Sequence, residues 1–181
     1  MKHIDFVVKW SEELIVPHNK MFHYGILWQQ TPEIDGKVEW LVIEAKGQDL
    51  GVHVYKLSDE EHMDLQFFRV SDTLATDEQR ALSPWYAINY GTARYDFPLI
   101  FKLLWWIIRI NIKRVFNGEK LGPATCGELA QYYHKDNKLN CTEIAYRGYA
   151  DQGVYLFPKG WPVVPAAYQW ALDMGNLERI E

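Results

Sequence analysis

The chain is short of the features that mark several protein classes. Only two of its 181 residues are cysteine, Cys126 and Cys141. Two thiols cannot form the disulfide lattice of a small secreted scaffold, and a chain this long does not need one. No pair of cysteines or histidines has zinc-ligand spacing, so neither a metal nor another cofactor is expected. There is no glycine-rich phosphate loop and no Gly-x-Ser-x-Gly elbow, which disfavours nucleotide and serine-hydrolase chemistry. Basic charge is in deficit: 19 Lys and Arg stand against 24 Asp and Glu, a net charge of −5. Such a chain is poorly suited to a phosphate backbone, and nucleic acid is not an expected partner. The longest apolar stretch, Phe97 to Ile112, is broken by Lys102, Arg109 and Asn111. It falls short of the ~20 residues of a membrane span. The first residues carry Lys2, Asp5, Lys9, Glu12 and Glu13 without a following apolar core. No secretory signal is therefore expected, and the expected location is cytoplasmic, with reduced thiols.

What the chain does contain is apolar and aromatic. Hydrophobic residues make up 48%, enough for a folded core, and there are 8 Trp, 11 Tyr and 8 Phe. No repeat, low-complexity tract or Gly/Ser linker divides it, so a single domain over 1–181 is expected. The first half alternates with period two. Strands are expected over Asp5–Trp10, His23–Trp28, Val38–Ala45, Gly51–Leu57 and Leu65–Val70. Pro32, Asp35 and Gly36 suggest that the second and third close as a hairpin. The second half reads as helix. Thr76-Asp-Glu-Gln79 is a capping box opening a helix that Pro84 should interrupt. Asp96-Phe97-Pro98 opens the apolar helix, with Pro98 in the first turn. Thr125-Cys-Gly-Glu128 is a second capping box, leading toward His134. Gly153–Phe157 reads as a strand, and Pro165–Met174 as a last helix. The fold class is α+β, an antiparallel sheet packed with helices.

Cys126 follows the second cap directly. A thiol at the first residue of a helix meets unpaired N–H groups and the positive end of the dipole. Its pKa should fall toward the nucleophilic thiolate, and the same N–H groups suit an oxyanion. A base is then needed. Among six histidines, His23 begins a strand that can hold it rigidly. A hairpin closed between Gln30 and Lys37 sets Glu44 directly across from His23, where a carboxylate can orient the imidazole. Glu44 also lies within the apolar run Leu41-Val-Ile-Glu-Ala45, where a lone carboxylate would be costly.

The order His, Glu, Cys resembles the circularly permuted NlpC-type papain-like cysteine hydrolases, the YiiX-like group. His23-Tyr-Gly-Ile-Leu27 resembles the family's His-x-Gly-hydrophobic strand. Val42-Ile-Glu-Ala45 with Gly51-Val52 resembles its Glu-Ala…Gly-Val segment. Tyr95-Asp-Phe97 followed by Thr125-Cys-Gly-Glu-Leu129 resembles its Tyr-Asp-Phe…Cys-Ser-Glu block. The likeness runs from about Asp5 to Tyr133. It implies a permuted papain-like fold with Cys126 as nucleophile, His23 as base and Glu44 as orienting acid, with Tyr95 supporting the site. Gly127 stands where the family usually has Ser, as does Phe22, and the opening Gly-Asp is represented only by Asp5.

The expected activity is thiol-dependent hydrolysis of an amide, in a peptide or cell-wall peptide, through an acyl-enzyme. The alternatives are a lipid acyltransferase or lipase using the same thiol, and a non-catalytic module retaining the fold. Cys141 has no such company and reads as packing. The helix from Pro98 to Phe116 places Leu99, Leu103, Ile107 and Ile110 on one stripe, expected to face the core. Its basic residues beside Trp105 and Trp106 also suit a membrane surface, the less favoured partner.

Overall fold

A computed structural model describes residues 24–30, 39–46, 51–60, 66–94, 96–133 and 139–180. The strand expected over Asp5–Trp10 lies outside these residues. Three strands form an antiparallel sheet in the order β1 (Gly25–Gln30), β2 (Trp40–Lys46) and β3 (Gly51–Lys56). Period-two alternation gives the sheet a buried face. Ile26 opposes Ile43 and Ala45 opposes Val52, and all four are buried. The α+β class holds, with small antiparallel sheets packed against helices.

The strand over Phe67–Val70 (β4) was expected to extend this sheet. It pairs instead with β5 (Leu177–Ile180), Val70 against Leu177. Alternation identifies a strand but not its partner, and nothing local to β4 specifies the distant C-terminal segment. Ser71 extends the pairing by donating its N–H to Asn176 O at 3.0 Å.

Helix α1 (Asp77–Ile88) opens on the Thr76 capping box, both of whose bonds are formed. It runs through Pro84 rather than stopping there. Proline withholds the N–H that would bond the carbonyl of Arg80. Ser83 Oγ supplies the missing donor, 2.9 Å from Arg80 O. Helix α2 (Phe97–Phe116) is capped by the Asp96 carboxylate, which accepts from Leu99 N at 3.3 Å. Its buried stripe is Leu99, Leu103, Ile107 and Ile110, as the spacing implies. Helix α3 (Cys126–Ala130) is only five residues long; His134, toward which it was expected to lead, lies outside the described residues.

Two further helices finish the order, α4 (Cys141–Ala150) and α5 (Pro165–Asp173). Gly153–Phe157 is not a strand but turn and bend. Its apolar residues are buried by ring packing rather than by a ladder. Phe157 stacks on Tyr146 at 4.7 Å and meets Tyr168 edge-on at 5.6 Å.

The sequence reading passed over α4, yet this helix is buried along most of its length and packs on α1, β1 and β2. Gly148 makes the approach possible. A Cβ there would lie 2.6 Å from Ser83 O and 2.8 Å from Ile26 Cδ1. The first of these is backbone and cannot turn aside. Gly148→Ala should therefore destabilise the fold by about 1–3 kcal/mol, the usual cost of overpacking. The check is the denaturant midpoint, and an unchanged midpoint would show that α4 does not seat this closely.

Candidate thiol site

Cys126 sits where the cap places it, but the surroundings oppose ionisation. The Glu128 carboxylate occupies the helix start, accepting from Thr125 N at 2.8 Å and Thr125 Oγ1 at 2.9 Å. Arg114 Nη2 holds the same carboxylate at 2.7 and 2.8 Å. The N-terminal field of this single-turn-scale helix is thus already met by an anion. The thiol itself is buried, and that burial pushes its pKa up from 9.0 to about 12, against a smaller lowering from the backbone bond. The expected fall toward thiolate does not occur. Desolvation outweighs the cap. Helix α3 packs on α2.

Glu44 is 2% exposed on β2, as its place in an apolar run implied. Its cross-strand partner on β1 is Gly25, not His23, and on β3 it is His53. The expected register missed by two positions. An irregularity between Leu27 and Gln30 shifts the pairing before the turn, which extrapolation from the turn could not foresee. A two-residue shift preserves the face, so Gly25, Glu44 and His53 share one side of the sheet. Glycine is needed at position 25: a Cβ would lie 2.7 Å from Val42 Cγ1 and 3.4 Å from Glu44 Cβ. His23 and Tyr95 both lie outside the described residues.

Cys141, read as packing, is the first residue of α4, the helix seated on β1 and β2. It too is buried, and neither thiol is in a disulfide. Its helix opens with a complete capping box. Asn140 Oδ1 accepts from Glu143 N at 2.8 Å, and Glu143 Oε2 accepts from Asn140 N at 3.0 Å. The Asn-x-x-Glu spacing at 140–143 was the signal in the sequence that marked this helix start.

The Glu143 carboxylate gathers several groups at that turn. Tyr133 OH donates to Oε1 at 2.5 Å, and Arg147 Nη2 lies 3.5 Å from the same oxygen. The Arg147 guanidinium lies 5.2 Å over the Tyr90 ring. Burial raises the Glu143 pKa; Tyr133, Arg147 and Asn140 oppose that rise, while the charge of Asp96 adds to it. Asp96 is buried beside a small cavity of about 140 Å³ that Glu143, Tyr133 and Trp106 also line. Its N–H donates to Leu139 O at 2.8 Å, and Leu139 N donates to Arg94 O at 2.9 Å. The Tyr-Asp-Phe stretch is thereby tied to the segment before Cys141.

The start of β1 reaches the same turn. Tyr24 stacks on Tyr168 with ring centroids 4.3 Å apart. Tyr168 OH donates to Thr142 O at 2.7 Å. Burial pushes the Tyr168 hydroxyl well above its ordinary pKa, with Tyr24 and Cys141 among the groups that reinforce it. Tyr24 is thus one ring away from the residue after Cys141. His23 precedes Tyr24 in the sequence.

Among the described residues no group of three or more His, Cys, Asp or Glu is arranged to hold a metal ion, and no helix is long and apolar enough to cross a membrane. No family model, curated protein or solved structure matches the chain.

The raised Cys126 pKa has a measurable effect. In the unfolded chain the thiol ionises near 9.0, in the fold near about 12. Between those values the unfolded state binds fewer protons, so stability falls as pH rises, by up to about 1.4 kcal/mol per pH unit. Denaturant unfolding of the native protein and Cys126→Ala across this range should show the fall lessened in the variant. Equal slopes would mean that Cys126 ionises normally in the fold.

Proposed function

We propose that the chain is a cysteine hydrolase of permuted papain-like fold whose nucleophile is Cys141 rather than Cys126. One observation carries this reading: Cys141 is the first residue of the helix seated on β1 and β2, beside the Tyr24–Tyr168 stack next in chain to His23. A papain-like site sets a thiol at a helix start against a sheet that presents the base, and the packing of α4 on β1 and β2 supports that reading. Cys141-Thr-Glu143 also keeps a hydroxyl residue between cysteine and glutamate, where Cys126 is followed by Gly127. The link of Asp96 to Leu139 and Glu143 joins the Tyr-Asp-Phe stretch to the same block.

In this reading His23 removes the Cys141 proton and the sulfur attacks the carbonyl carbon of an amide. N–H groups of the first turn of α4 stabilise the oxyanion. Histidine returns the proton to the leaving nitrogen as the C–N bond breaks. Water then cleaves the thioester, releasing a carboxylic acid and restoring the thiol. Glu44 orients the imidazole from the neighbouring strand. The substrate class is a peptide amide, cell-wall peptides included.

The test is labelling with iodoacetamide at neutral pH, read by peptide mass spectrometry. Cys141 should label at least about tenfold faster than Cys126, and His23→Ala should slow it by ~10²-fold or more, the scale of a lost general base. His53→Ala should leave the Cys141 rate unchanged. Preferential labelling of Cys126 would overturn the assignment, and a Cys141 rate indifferent to His23→Ala would remove the base.

A further inference from the structure

Helix α2 has two apolar faces, and only one is used by the fold. Leu99, Leu103, Ile107 and Ile110 point inward and are buried. On the other side Phe101, Trp105, Ile108, Ile112, Val115 and Phe116 are exposed. Their spacing at 3.6 residues per turn lines them up as one stripe about 100° wide over the length of the helix. The exposure is large: Trp105 is 57% and Phe116 86% accessible. Leu121 extends the stripe beyond the helix, and an open groove of about 490 Å³ lies between it, Ile112 and Phe116. A contiguous apolar surface of this kind marks an interaction site rather than ordinary surface scatter.

Charge decides the partner. The chain is acidic overall, at −5. Yet α2 carries Lys102, Arg109, Lys113 and Arg114 and no acidic residue at all. Arg114 is engaged with Glu128, and Arg109 lies 5.4 Å over the Tyr132 ring. By helical spacing Lys102, Arg109 and Lys113 form a row directly beside the exposed stripe, between it and the buried one. An aromatic and aliphatic stripe flanked by cations, lying along a helix too short of apolar length to cross a bilayer, fits the headgroup boundary of a membrane. A second copy of this chain fits less well, because its own α2 would bring only further cations to that row.

We infer that the outer face of α2 docks the protein on an anionic lipid surface, with Trp105, Ile108 and Ile112 entering the interface and Lys102, Arg109 and Lys113 meeting the headgroups. The acidic remainder of the chain is repelled by the same lipids, which fixes the orientation. This inference is independent of the thiol chemistry. Only α2 is concerned, and of the residues named Lys102 also lines the small cavity beside Asp96 and Glu143.

Flotation with vesicles tests it, using phosphatidylcholine alone and phosphatidylcholine mixed with phosphatidylserine. The protein should float with the anionic vesicles, and far less with the neutral ones. Ile108→Glu with Ile112→Glu should abolish flotation while thermal unfolding stays unchanged, both residues being exposed. Each of Lys102→Gln and Lys113→Gln should lower partitioning about fivefold, and added salt should act the same way. These neutral changes probe the surface even if the glutamate pair disturbs folding. Absence of flotation, or flotation indifferent to both sets of changes, overturns the inference. So does a dimer in sedimentation that the glutamate pair dissociates while the native protein ignores vesicles, which would assign the stripe to a second copy.

Discussion

Removing a carboxylate from water is unfavourable unless donors replace the water, and at Glu143 they come from three directions. Tyr133 donates from the chain before α4, Asn140 from the cap, and Arg147 from one turn further along. Asp96 faces the same carboxylate from the start of α2. Meeting these partners fixes where α4 begins and which way its first turn faces. Its body is then fixed by Gly148, pressed against Ser83 and Ile26. Charge at one end and close contact at the other leave α4 little freedom. The position of Cys141, the first residue of α4, is a consequence of both.

The two cysteines show that a helix start does not by itself make a nucleophile. Both are first residues of helices with complete capping boxes. Each cap is filled by its own glutamate carboxylate, Glu128 in one and Glu143 in the other, and around Cys126 burial pushes the thiol pKa up. What separates Cys141 is its company. It lies on the helix that touches the sheet, and the next residue, Thr142, accepts a hydrogen bond from Tyr168 of α5, on which Tyr24 stacks. Helix α2 makes a related point about amphipathicity. Its inward stripe explains why it folds here, and its outward stripe is left for something else.

Local signals were legible in the sequence where the physics is local. The Thr76 and Thr125 caps, the inward stripe of α2 and the strands β1 to β3 depend on residues within a few positions of one another. Most failures came where distant residues decide, with Pro84 the local exception. Pro84 did not break α1 because Ser83 answers the orphaned carbonyl. The alternation in β4 did not reveal that its partner is the C-terminal strand. An irregularity before the hairpin turn moved Glu44 from His23 to Gly25. Helix α4 was hidden because its polar residues Thr142, Glu143 and Arg147 are buried with the apolar ones, so polarity along it does not mark an outward face. The burial of Glu44 could be read from its apolar neighbours; the burial that raises the Cys126 pKa could not, since it depends on how α3 packs in the fold.

The proposed chemistry requires position 23 to come beside Cys141. A disulfide trap measures this directly. His23→Cys in a Cys126→Ala background is exposed to a mild oxidant and mapped by mass spectrometry, with His53→Cys in the same background as control. Two cysteines can be joined only when their Cα atoms come within about 7 Å. The account requires a disulfide between positions 23 and 141 in the folded protein, and none from position 53. A folded protein in which position 23 does not link to Cys141, or in which position 53 links instead, would contradict it.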